Sequence, residues 1–166
     1  AQPGSVGLLT YFVDELRADG RTTPYSMVTA IGTLDSDVTP TDPALRALLA
    51  LLPADLPDNG IVLNDWCAAE LHASPGTAVE LDYLELGTQL RLETRTEPFV
   101  VSAVVPIEGA AADPGLMPEF PGLAGAESCR DWAPGVPIDL QRLSDRDQEY
   151  WDEHRGTPKG FVKLDT

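Results

Sequence analysis

The run FVVSAVVPI at positions 99–107 constrains the fold more than any other stretch of the chain. It is almost wholly apolar and rich in β-branched residues, which marks a central strand covered on both faces and so requires apolar layers above and below it. Half-buried strands precede it. Residues 78–86 place Val79, Leu81 and Tyr83 on one face and Glu80 and Asp82 on the other, and residues 89–96 alternate again through Leu90, Leu92 and Thr94. Further upstream, Ile61-Val62-Leu63 reads as a short buried strand. Asn64 then stands where it can cap a helix with the apolar face Trp66, Ala69 and Leu71, which Ser74-Pro75-Gly76 ends. A strand, a helix and three successive strands predict an α+β fold on a mostly antiparallel sheet with a few short helices.

The flanking segments add to this frame. Residues 10–17 read as strand or helix with equal ease, and Ala18-Asp19-Gly20 joins them to residues 25–31, rich in β-formers, so that a hairpin-like pair is the first expectation. Pro43 suits a first helical turn, and Leu45, Leu48, Leu49 and Leu52 recur at helical spacing until Pro53 stops the run. Residues 109–135 carry so many Pro, Gly and Ala that they predict a long irregular loop. Residues 139–154 read as a helix with Leu140, Leu143, Tyr150 and Trp151 on its apolar side, and Gly160-Phe161-Val162-Lys163-Leu164 reads as a last short strand. The chain suits one domain, 1–166, or two small lobes, 1–108 and 109–166, sharing a surface.

Composition excludes several function classes. The chain has 166 residues, 43% of them hydrophobic, enough to build a core, so disorder is not expected. Its net charge of -16, spread along the chain, repels a phosphate backbone, and nucleic acid is not an expected partner. No apolar run reaches the ~18 residues of a membrane span. Two cysteines, Cys67 and Cys129, make no framework; either a single bridge or packed free thiols is open to them. His72 and His154 have no Cys or His at ligand spacing, so no metal is expected.

The stretches TYFVDELRADGRTTPYSMVTAI, GIVLNDWCAAELHASPGTAVELDYLEL, PFVVSAVVPIEGAAADPGLMPEFPGLAGAESCRDW and DQEYWDEHRGTPKGFVKL together resemble the extracytoplasmic domain of FtsX/MacB-type ABC transporter permeases. Pro24-Tyr25-Ser26, Met117-Pro118 and Arg155-Gly156-Thr157-Pro158-Lys159 are the more particular points of likeness. The chain departs from the family pattern at Thr77, where many relatives place an acidic residue after the Pro-Gly turn.

The resemblance implies a domain excised from a membrane permease, at the extracytoplasmic face of the bacterial inner membrane, with both ends running to membrane helices of the same chain. It implies an ATP-binding subunit on the cytoplasmic side, a dimer in the full transporter, and a periplasmic partner protein or lipid-like substrate. The ATP-binding motif G-x-x-x-x-G-K-[ST] is absent here, and no cofactor is expected. Such a domain transmits motion and is not an enzyme, so it needs a stiff sheet and a less regular contact surface. Residues 78–107 are the candidate sheet, and the 109–135 loop the candidate surface, with Met117, Phe120 and Trp132 as contact residues or as staples fixing the loop to the core.

Carboxylate pairs such as Asp14-Glu15 and Asp152-Glu153, or Asp131 beside Trp132, match an acid–base dyad in form. A chain with 27 acidic residues offers such pairs by chance. No G-x-S-x-G occurs. The competing non-catalytic reading is a free-standing extracytoplasmic ligand- or lipid-binding module, which requires a closed apolar cavity where the transporter reading expects a filled core and open ends.

Overall fold

The computed structural model describes residues 4–34 and 39–164. Six strands close into a barrel: β1 (Val6–Ala18), β2 (Arg21–Thr33), β3 (Gly60–Asn64), β4 (Ala78–Leu86), β5 (Leu92–Val105) and β6 (Gly160–Lys163). Around the barrel they run in the order β1, β2, β6, β3, β5, β4, and β4 returns to β1. The pairs β2–β6 and β3–β5 are parallel and the other four are antiparallel. This corrects the expected mostly antiparallel α+β sheet to a closed barrel of mixed sense. The physical reason is that parallel neighbours need a long connection between them, and the chain supplies it twice: residues 65–91 lie between β3 and β5, and the whole middle of the chain lies between β2 and β6.

The expected hairpin forms as β1 and β2, turning at Asp19 and Gly20, both at positive φ. Residues 89–96 and 99–107 do not make two strands but belong largely to one, β5, in which Pro98 lies opposite Glu80. Pairing of β5 with β3 starts only at Val100, so Pro98 sits where β5 has one neighbour, the place a strand tolerates a missing N–H. Nor is this strand covered on both faces: Val100 and Val104 are exposed. In a small closed barrel one face of every strand points outward, and here the loop covers only part of it.

Three helices attach to the barrel. The first, α1 (Pro43–Leu49), is capped by Asp42, whose Oδ1 accepts from the Ala44 amide at 2.8 Å. The second, α2 (Asp65–Leu71), is capped by Asn64, and the third, α3 (Asp145–His154), starts at a capping box between Ser144 and Asp147. That box places the helix start six residues later than the expected 139; Leu140–Arg142 form a separate 3-10 turn capped by Asp139. Among the described residues no helix is long and apolar enough to cross a membrane.

Side-chain alternation divides the core cleanly. Val28, Ala30, Ile61, Leu63 and Val162 point into the barrel and meet Cys67, Ala68 and Leu71 of α2, so α2 plugs the end where β3 finishes. Their chain neighbours Ile31, Val62 and Phe161 point outward and are covered by α1, Ala111 and Leu116. A third cluster covers the start of β2, where Tyr25 meets Cys129, Leu143 and Trp151. Burial of each such Val, Leu or Phe contributes about 1.5–3 kcal/mol. The segment after residue 108 therefore both clads the barrel and supplies one of its strands, β6.

Candidate functional site

The two ends of the barrel differ. β1 and β4 pair through only three residues, Glu15↔Asp82, Leu16↔Leu81 and Arg17↔Glu80. Beyond that seam the β1–β2 and β4–β5 hairpins part, and the space between them is a cup of about 330 Å³ open to solvent. Val13, Val28 and Ala30 form part of its base, Tyr11, Tyr83 and Phe99 its walls, and Asp58, Glu97 and Lys163 its polar lining. Lys163 Nζ donates to Asp58 Oδ1 at 2.9 Å. Burial, with Glu97 and Glu85 nearby, pushes the Tyr83 hydroxyl above the usual phenol range, so it stays a neutral donor.

Around this mouth exposed leucines stand among charged side chains such as Glu85, Glu93 and Arg95. Leu8, Leu9 and Leu34 are exposed on one arm, and Leu86, Leu90 and Leu92 on the other, with Leu90 81% exposed at the hairpin tip. The described chain enters and leaves the barrel here, because β6 runs parallel to β2 and Leu164 donates its amide to Ile31 O beside Gly7 and Gly32.

Arg17 holds the seam. Its guanidinium reaches Glu80 at 2.9 Å, Glu15 at 3.3 Å and also Asp82, while Arg142 from the long segment pairs with Glu15 and lies 5.1 Å over the Tyr25 ring. The three carboxylates raise the Arg17 pKa further above its already high value. Asp14, opposite this network, has its pKa raised by burial first, then by Asp82 and Glu15, against the lowering effect of Arg142. Glu15 is committed to two arginines. Neither Asp14-Glu15 nor Asp152-Glu153 lines the mouth or the groove described below, and Asp131 stands exposed in a 3-10 turn.

The loop residues singled out in the sequence lie in the outer cladding. Met117, Phe120 and Trp132 are all partly buried. Phe120 meets Phe12 at 6.3 Å between ring centroids, and Trp132 stands edge-on to Trp151 at 5.0 Å. Met117 packs so tightly against Gly156 that a β-carbon there would lie 1.8 Å from its sulfur. The structure thus packs Met117 and Trp132 against the third core cluster and Phe120 against Phe12, and Met117 also borders an open groove. That groove, about 410 Å³, runs between the loop and the end of α3 past Glu119, Trp151, His154 and Arg155.

Sequence reasoning missed Lys159. The residue is 4% exposed, yet its side chain ends in a titratable amine. Nζ donates to Thr23 Oγ1 at 2.8 Å, lies 4.5 Å from the Trp66 ring centroid and 5.0 Å from that of Tyr150, and has Asp147 Oδ1 at 3.7 Å. Burial lowers its pKa from the ordinary lysine value and Asp147 opposes that. Beside it Asn64 is wholly buried and satisfied: Oδ1 accepts from the Cys67 amide, and Nδ2 donates to Tyr150 Oη at 3.0 Å and Pro158 O at 3.1 Å. These groups lock α2, α3 and the entry to β6 together at the plugged end. The one local signal was Ser144-x-x-Asp147, which marks a helix start but not a partner for a lysine.

Both cysteines are free and buried. Burial pushes the Cys67 thiol up to about 12, so it is neither nucleophile nor ligand at neutral pH, and Cys129 Sγ donates to Gln148 Oε1 at 3.1 Å. Among the described residues no group of three His, Cys, Asp or Glu is placed to hold a metal ion. Comparison with protein-family models and with curated proteins gives no match to this chain.

Proposed function

We propose that the chain is a non-catalytic extracytoplasmic domain of an FtsX/MacB-type ABC transporter permease, which carries motion from the membrane helices of the same chain to a substrate or a periplasmic partner protein. The observation that carries this reading is that the described chain enters at β1 and leaves after β6 side by side, at the open, leucine-bearing end of a closed barrel. A domain held by both ends at one pole moves as a body when the helices below it move, and a closed barrel has no free edge along which to shear. The sequence resemblance supports the same reading. In it the energy comes from an ATP-binding subunit across the membrane, and a second permease copy supplies the opposing domain.

The filled interior favours this over a free-standing capture module. Such a module encloses its ligand, whereas here α2 fills the barrel from one end and the space left at the other is an open cup. The contact surface is then the loop-clad side, with the groove beside Met117 and Arg155.

The test is topological. In cells making the parent protein, Asp131→Cys provides an exposed thiol on the loop face, while Cys67 and Cys129, both at 0% exposure, give no background. A membrane-impermeant maleimide is expected to label the variant in intact cells stripped of their outer envelope. Labelling only after lysis overturns the proposal, as does a parent sequence without an apolar stretch of about 20 residues on either side.

A further inference from the structure

We infer that the mouth of the barrel binds the apolar chain of a single-chain amphiphile from solution, with a neutral or cationic head at the rim. The cup has the two parts such a site needs. Its volume of about 330 Å³ lies at the lower end of ligand pockets, and its floor is built from side chains that the barrel already buries, Val13, Val28 and Ala30 among them. Its walls, Tyr11 and Tyr83, belong to the two diverging hairpins, so an inserted chain replaces solvent between arms that have no backbone pairing there.

The rim chooses the head group. Asp58 and Lys163 neutralise each other at 2.9 Å, and Glu97, which makes no ion pair among the described residues, leaves the lining acidic. The whole chain carries a net charge of -16, so the field around the mouth repels an anionic head and attracts a cationic one. The site is assigned to one chain because Phe99 and Leu164 narrow the cup, and because the exposed leucines flank its entrance without lining it.

The inference does not rest on the permease reading, and its test uses the 166-residue chain alone. Dodecyltrimethylammonium, dodecyl maltoside and dodecyl sulfate are titrated by calorimetry below their micelle-forming concentrations. Saturable one-to-one binding is expected for the first two, with the cationic probe about tenfold tighter than the sulfate. Ala30→Phe, which fills the floor, and Tyr11→Lys, at a position 41% exposed and tolerant of a charge, should each weaken binding about tenfold with the circular dichroism spectrum kept. If Ala30→Phe fails to fold, Tyr11→Lys decides. Absence of saturable binding, or binding unchanged by Tyr11→Lys, overturns the inference. So does sedimentation with phosphatidylcholine vesicles by a chain that ignores the monomeric probes, which would make the leucine-rich end a bilayer contact instead.

Discussion

At the scale of single residues, the least expected group is Lys159, a lysine amine held inside the protein by two aromatic faces, one hydroxyl and a carboxylate. Removing the carboxylate leaves a buried charge with weaker compensation, so Asp147→Ala is expected to cost about 3 kcal/mol, part of it the lost capping box. Lys159→Met, which removes the charge and keeps the length, should cost less than half of that, and adding it to Asp147→Ala should recover the part of the loss that does not come from the capping box. The pH dependence has a defined sign. A lysine whose folded pKa is lowered leaves more protons on the unfolded chain, so wild type should gain stability relative to Lys159→Met as pH rises towards the ordinary value of 10.5. The raised Cys67 pKa acts oppositely, contributing stability that is complete below 9.0 and lost towards about 12, and because Lys159 and Cys67 perturb each other the two proteins are compared most cleanly below 9.0. Urea denaturation of the variants across that range checks both statements.

At the scale of elements, local structure was legible and pairing was not. Asp42 with Pro43, Asn64 after an apolar triplet, and Asp19-Gly20 between β-rich runs each carry their chemistry within a few residues, and the structure uses each as a cap or a turn. The partnership of β6 with β2 and β3 leaves no such mark, because Phe161 meets Thr29 and Val62 across more than a hundred and nearly a hundred positions. Patterning fixes which face of a strand is buried, not which strand lies beside it. The cup was illegible for the same reason: Tyr11, Tyr83 and Phe99 look like ordinary strand residues until the seam between β1 and β4 is known to stop after three pairs. Met117 and Trp132 were legible as residues that must pack somewhere, and they pack in the outer cladding. The seam itself gives an expected outcome. Arg17→Ala leaves Glu15, Glu80 and Asp82 facing one another, so stability should fall by about 1 kcal/mol, less at high salt. In hydrogen exchange the amides of Leu16 and Leu81 should lose protection before those of Val62 and Phe161.

At the scale of the whole molecule, the barrel is closed, plugged at one end by α2 and open at the other, where both runs of the described chain meet. That arrangement suits a body moved from one pole, with its irregular cladding turned to the side. The central claim is that the domain passes motion on without deforming. Its most direct measurement is the distance between spin labels at Thr22→Cys, beside the turn at the plugged end, and Thr94→Cys, on the arm at the mouth, in the complete transporter that the proposed function implies, with and without nucleotide. The account expects this distance to stay constant while the separation between Thr94→Cys labels in two opposed copies changes. A change within one barrel, or no change between copies, contradicts it.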